Sequence, residues 1–154
     1  MEHLYNCFGE CIDNISLEFE DDVERQFPKP NNDIDRDGFD KHNIESNGEY
    51  TIEIELMKGT LICRYGDEGG RFTSPLGTPY ECRGLPFKVV TCQYHEYEVI
   101  ADGVSVQLIV TKGVTAPAFN SKGGGIQYKH VQSISEEIRD GKLREVTSWL
   151  KNAR

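Results

Sequence analysis

The sequence predicts an α+β fold: a mostly antiparallel, twisted β-sheet core with long Gly/Pro-rich loops and short flanking helices. Three observations point there. Apolar and polar residues alternate from Tyr50 to Leu56 and again over residues 94–110, the period of a half-buried strand. Glycine and proline crowd residues 66–88 and 113–125, where no period survives. Ser133 and Glu136 form a capping-box pair, and Gly141 follows at a helix-ending distance.

Taken in order, residues 1–27 mix acids with spaced apolar side chains (Ile12, Ile15, Leu17, Phe19, Val23, Phe27), the pattern of a short helix. They sit in an acidic extension, residues 1–32, ahead of the domain proper at 33–154. Pro28, Pro30, Asn31 and Asn32 break any regular element there. Residues 33–38 read D-x-D-x-D-G, which opens like a calcium loop with Asp33, Asp35 and Asp37 as candidate ligands. The twelfth position of such a loop needs a bidentate Glu and holds Ile44, with Glu45 one residue late, so an acidic surface turn is the better reading.

A strand over Tyr50, Ile52, Ile54 and Leu56 follows; Lys58-Gly59 turns the chain, and Leu61–Tyr65 is a second strand. Residues 66–88 then form a long loop in which Arg64, at its mouth, Arg71, Arg83 and Lys88 outnumber Asp67, Glu68 and Glu81. A loop this long in a small domain is usually a functional one. Strand pattern resumes over residues 94–100, and Asp102-Gly103 suggests a tight hairpin into Val104, Val106, Leu108 and Val110. GVTAPAFNSKGGG leads to a short strand at Ile126–His130. Ile134, Ile138, Leu143, Val146 and Leu150 would bury one side of a helical C-terminal segment.

Composition narrows the function. The chain has 154 residues, 37% hydrophobic, enough for one domain with a core. No run of about 18 apolar residues could cross a membrane as a helix. The first residues, MEHLYNCFGECIDN, show neither the basic nor the apolar segment of a secretory signal. Net charge is −9, with 16 acids against 4 bases in residues 1–55 and 10 against 13 in residues 56–154. Such a chain repels duplex nucleic acid and anionic membranes, while the second part can hold a small anion such as a nucleotide. Five cysteines cannot all pair within one chain, although a disulfide or two stays open. No C-x-x-C occurs, and His3, His42, His95 and His130 lack zinc-ligand spacing, so no structural zinc site is expected. Serine-hydrolase, zinc-protease and Walker motifs are absent. No pair of catalytic carboxylates stands out in the loops.

A few residues remain as candidates for chemistry. Gly123, Gly124 and Gly125 allow a backbone to approach a ligand closely, with Gln127 directly after them. Arg83 lies between Pro79 and Pro86 and suits a diphosphate clamp, or else anchors its loop to backbone carbonyls. His95, flanked by Tyr94 and Tyr97, reads as structural unless a pocket adjoins it.

The ordered set Arg64-Tyr65-Gly66, GGRF (69–72), GTPYECRGLP (77–86), YHEYEV (94–99), GVTAPAF (113–119) and GGGIQY (123–128) resembles the tuberculosis necrotizing toxin domain family. Asp37-Gly38-Phe39 matches a motif often found upstream in that family, so the likeness spans about residues 37–130. The resemblance implies an NAD⁺ or NADP⁺ glycohydrolase that releases nicotinamide, found among bacterial toxins and secreted fungal enzymes. It implicates Gln127, Arg83, His95 and Arg64 in catalysis. For substrate binding it implies Phe72, Phe39, Arg71, Tyr65 and Gly125. Position 72 is Phe where some members carry Tyr, so no hydroxyl acts there. No cofactor is required by this reading; calcium is kept because some members are described as binding it. The implied partners are the dinucleotide and an immunity or inhibitor protein, and the implied destination is outside the cell or inside a target cell. Two other readings stay open. An ADP-ribosyltransferase would need a catalytic Glu, for which Glu96 and Glu98 lack a persuasive context; a non-catalytic nucleotide- or calcium-binding module would keep the fold alone.

Overall fold

Residues 29–83, 94–118 and 122–147 are described by the computed structural model. The helix expected within residues 1–27 lies outside the described residues. Seven strands form where apolar side chains can be buried by alternation: β1 (Thr51–Glu55), β2 (Leu61–Tyr65), β3 (Phe72–Pro75), β4 (Tyr94–Val99), β5 (Ile109–Val114), β6 (Ile126–His130) and β7 (Leu143–Glu145). One helix, α1 (Ile134–Arg139), and one 3-10 turn (Tyr80–Cys82) complete the regular elements among the described residues. No described helix is long and apolar enough to cross a membrane.

All strand neighbours are antiparallel, in the order β1-β5-β6-β3-β2-β4-β7. The sheet divides in the middle. β3 joins β2 only through Ile62↔Pro75 and Cys63↔Ser74. Its other half, Phe72 and Thr73, pairs with Lys129 and Tyr128 of β6, while β2 runs on beside β4 through Arg64↔His95 and Tyr65↔Tyr94. β2 and β3 therefore part like the arms of a fork beyond Cys63 and Ser74.

Alternation sends each strand's side chains to two faces. One face, with Ile62, Tyr97, Val99, Val110 and Tyr128, packs with Leu108, Ile134 and Leu143 into the main core. Each such side chain contributes roughly 1.5–3 kcal/mol on burial. The other face carries a smaller cluster of Cys63, Tyr65 and Tyr94, against which Tyr80 packs.

The capping box at α1 forms as expected. Ser133 Oγ accepts the Glu136 N–H at 3.2 Å, and Glu136 Oε1 accepts the Ser133 N–H at 3.0 Å. Three other expectations are corrected. Asp102-Gly103 makes no hairpin: β4 and β5 lie in different halves of the sheet, and Asp102 Oδ1 instead accepts the N–H groups of Val104, Ser105 and Val106 in a crossing loop. The helical reading fails after Gly141, because Leu143–Glu145 adds to β4 as an edge strand. The loop read across residues 66–88 contains β3, whose four residues are too few to show a period.

Candidate active site

The fork between β2 and β3 holds a cleft lined by Arg64, Tyr65, Phe72, Thr73, Ser74, Arg83 and Gln127. Its floor is a recess of about 30 Å³. That is the size of one or two waters, so a larger ligand would lie over the recess and not within it.

Arg83 follows the 3-10 turn, its N–H bonded to the Tyr80 carbonyl at 3.1 Å. Only 6% of it is exposed. Nε and Nη2 donate to the Thr78 carbonyl at 3.2 and 2.8 Å, and Nη2 also reaches Cys63 Sγ at 2.8 Å. The guanidinium lies over the Tyr65 ring, 4.7 Å from its centroid. Tyr65 is in turn held by Tyr80 and Tyr94, with ring centroids 5.1 and 4.9 Å away. Among the described residues Arg83 meets no carboxylate, so its anchoring to carbonyls and its approach to the cleft coexist. A cation this buried and without a counter-ion favours an anionic ligand.

Gln127 enters from β6. Its Nε2 donates to the Asp37 carbonyl at 3.0 Å, leaving Oε1 without a partner among the described residues. Asp37 is itself fixed, because its Oδ2 accepts from Lys129 Nζ at 2.9 Å. The Asp-Gly-Phe segment thus orients the glutamine. Phe39 is 1% exposed and bridges to Thr115, so it belongs to the packing beneath this segment.

Arg64 closes the fork. Its Nε donates to the Asp67 carbonyl at 2.7 Å and its Nη1 to the Phe72 carbonyl at 3.0 Å, which ties the two diverging arms together. Gly70 leaves room for it: a Cβ there would lie 1.9 Å from Arg64 Nη2 and would displace the guanidinium. Burial lowers the Arg64 guanidinium below its ordinary value, opposed by the nearby Asp67 and Glu68 carboxylates. Burial pushes the Tyr80 hydroxyl far above its ordinary range, and Tyr94 likewise, so both rings line the region as neutral groups.

The remaining sequence candidates stand elsewhere. His95 pairs with Arg64 across the β2–β4 ladder, and alternation sends its side chain to the face of Tyr97, away from Tyr65, Phe72 and Gln127. There its Nδ1 lies 2.7 Å from Glu145 Oε2. Arg71 is exposed and donates to the Val131 carbonyl at 2.8 Å. Gly125 packs against the 3-10 turn: a Cβ would meet the Cys82 carbonyl at 2.7 Å, and its N–H donates to that carbonyl. The three aspartates of the calcium-like run are spent separately. Asp33 pairs with His42, Asp35 accepts the N–H groups of Asp37 and Phe39, and Asp37 pairs with Lys129. Cys63 and Cys82 are free thiols, and the other three cysteines lie outside the described residues.

A buried trio went unread in the sequence: Thr73 Oγ1, His130 Nε2 and Nδ1, and Glu137 Oε1, joined at 2.7 and 2.5 Å. Its bonded pairs are 57 and 7 residues apart, and no local pattern brings all three together.

Comparison with known proteins follows the same region. The family model described as "Tuberculosis necrotizing toxin" matches residues 55–146. The conidial surface nicotinamide adenine dinucleotide glycohydrolase nadA of Aspergillus fumigatus is 33% identical over 98 residues, which is 59% of this chain and 40% of that protein. This chain therefore spans about two fifths of that relative's length. Among solved structures, tuberculosis necrotizing toxin complexed with its immunity factor IFT is 21% identical over 73% of this chain and 66% of its own, with a TM-score of 0.44. Tne2 in complex with Tni2 is 19% identical over 62% and 87%, with a TM-score of 0.44.

Proposed function

This chain belongs to the tuberculosis necrotizing toxin family, and from that membership and the chemistry of its cleft we propose that it is an NAD⁺ glycohydrolase. The reaction breaks the bond between ribose C1′ and the nicotinamide nitrogen. The bonding pair leaves with nicotinamide, which departs neutral, so no general acid is needed. Water adds to C1′, and its proton goes to solvent, giving ADP-ribose. No cofactor enters this scheme.

The observation that best supports this reading is Arg83: a buried guanidinium without a carboxylate partner among the described residues, facing a cleft with Gln127. Arg83 grips the diphosphate, and Arg64 Nη2 assists from the closed end of the fork. Phe72 stacks on a ring of the substrate, above Tyr65. Gln127 Oε1 faces the positive charge that develops on the ribose, or orients the attacking water, because its amide is already fixed by Asp37. His95 supports Arg64 from the neighbouring strand. Lys122 or Lys129 would meet a 2′-phosphate if NADP⁺ is also taken; Lys88, the third candidate, lies outside the described residues. An enzyme that destroys a common dinucleotide endangers the cell that makes it. We therefore also propose that it is secreted or delivered into target cells, with an inhibitor protein where it is made.

Incubation of the chain with NAD⁺ and with NADP⁺, followed by chromatography of nicotinamide and ADP-ribose, tests the proposal. Release by the native chain and none by Arg83→Ala or Gln127→Ala is the expected result. Label transferred to protein would point to an ADP-ribosyltransferase. Binding without turnover would leave a nucleotide-binding module.

A further inference from the structure

Outside the cleft, Glu68, His95 and Glu145 converge from the β2–β3 loop, β4 and β7. One potential ligand atom from each lies within 4.8 Å of the other two, and among the described residues no other group of three His, Cys, Asp or Glu side chains is so placed. We propose that this trio binds a divalent transition-metal ion of the zinc type.

The donor set selects the ion class. One imidazole nitrogen with two carboxylate oxygens suits Zn²⁺ and its neighbours, whereas Ca²⁺ and Mg²⁺ favour oxygen alone. The surroundings resemble a second coordination shell. The Tyr97 hydroxyl donates to Glu68 Oε2 at 2.7 Å, and the Thr147 hydroxyl donates to Glu145 Oε2 at 2.6 Å. The His95 ring is stacked on Tyr97, with centroids 5.9 Å apart and planes 19° apart. Such contacts fix ligand orientation and sharpen affinity. Strand pairing holds two of the ligands: His95 sits on β4, two residues from Tyr97, which pairs with Glu145 on β7.

Metal–ligand bonds of about 2.0–2.2 Å put tetrahedral ligand atoms roughly 3.4 Å apart, so the His95–Glu145 contact opens from 2.7 Å while Glu68 moves in on its loop. The His95 and Glu145 side chains remain 22% and 30% exposed, so an ion can enter. On entry the ion replaces the proton shared by His95 and Glu145, which goes to solvent. The two carboxylates balance its charge, Arg64 pairs with His95 across the ladder, and a fourth position stays open to water. This proposal does not rest on the glycohydrolase reading.

The test uses the full chain, freed of metal with a chelator that is then removed. Zn²⁺ binding is followed by calorimetry, and Co²⁺ binding by its visible spectrum. One site is expected, with affinity falling at least tenfold in both His95→Gln and Glu145→Gln, and a Co²⁺ spectrum without thiolate charge-transfer bands. Unchanged affinity in both variants overturns the proposal. So does a thiolate spectrum, which would assign the ion to cysteine, or the absence of binding heat. If His95→Gln does not fold, Glu68→Gln on the loop carries the same test.

Discussion

Two buried polar groups lie on opposite faces of this sheet, and they are finished to different degrees. On the core face, Thr73, His130 and Glu137 form a chain in which both imidazole nitrogens have partners, and His130 and Glu137 are each 1% exposed. On the cleft face, Arg83 and Gln127 are 6% and 8% exposed, yet Gln127 Oε1 and one end of the guanidinium are left without partners among the described residues. A matched network serves the fold, because removing any member strands another. An unmatched one is available to a ligand. The difference separates two kinds of mutational effect, on stability and on turnover.

The largest effect is expected at Glu137→Ala. Loss of a fully buried partner should cost about 3–5 kcal/mol in urea unfolding while leaving turnover per folded molecule unchanged. A cost below about 1 kcal/mol would remove the contrast between the faces. Next, Gln127→Ala should lower kcat about 10²–10³-fold, or about 2.7–4 kcal/mol of barrier, with little change in melting temperature. Wild-type turnover in this variant would refute the glutamine's role. Arg83→Lys keeps the charge but loses the planar fork, and should raise KM about tenfold, close to 1.4 kcal/mol, more than it changes kcat. Thr73→Val, which strands one His130 nitrogen, should cost about 1 kcal/mol of stability in urea unfolding.

The smallest effect is one of pH, and it should be shared by both faces. Burial raises the hydroxyls of Tyr97 on one side and of Tyr80 and Tyr94 on the other above the ordinary value of 10.0. The folded chain then keeps protons that the unfolded chain releases. Stability is accordingly unaffected by these groups below about pH 10 and falls above it. Tyrosinate absorbance from these rings should appear together with the loss of circular dichroism. Ionisation near pH 10 in an intact fold would contradict their burial.

The strands at 51–55 and 94–99 were legible because their side chains alternate, that at 61–65 as a short apolar run after a turn, that at 126–130 as the segment following the glycine loop, and the start of α1 because Ser133 and Glu136 cap it. β3 was not legible, since it has four residues between glycines and ends on Pro75. β7 was hidden for another reason: Leu143 and Val146 continue a helical spacing from Ile134 and Ile138, although Gly141 has already ended the helix with φ of 76°. Asp102-Gly103 has the local chemistry of a hairpin, but which strands become neighbours is a long-range matter. The same limit applies to the sites. Arg83 and Gln127 entered through a family likeness, and short spacing alone left each with a bland alternative. The convergence of residues 68, 95 and 145 depends entirely on how the strands pair.

The order of strands has one more consequence, in time. β1 finds its partner in β5, more than fifty residues later, and β4 is completed by β7, so most pairings are non-local. Chains of this kind fold slowly, commonly over milliseconds to seconds, because long segments must be ordered before their contacts form. The strand that carries Gln127, β6, follows five of the other strands in chain order and pairs with two of them, β3 and β5. A cleft assembled this way does not exist until β6 has paired with β3 and β5, so any chemistry assigned to it waits for that strand.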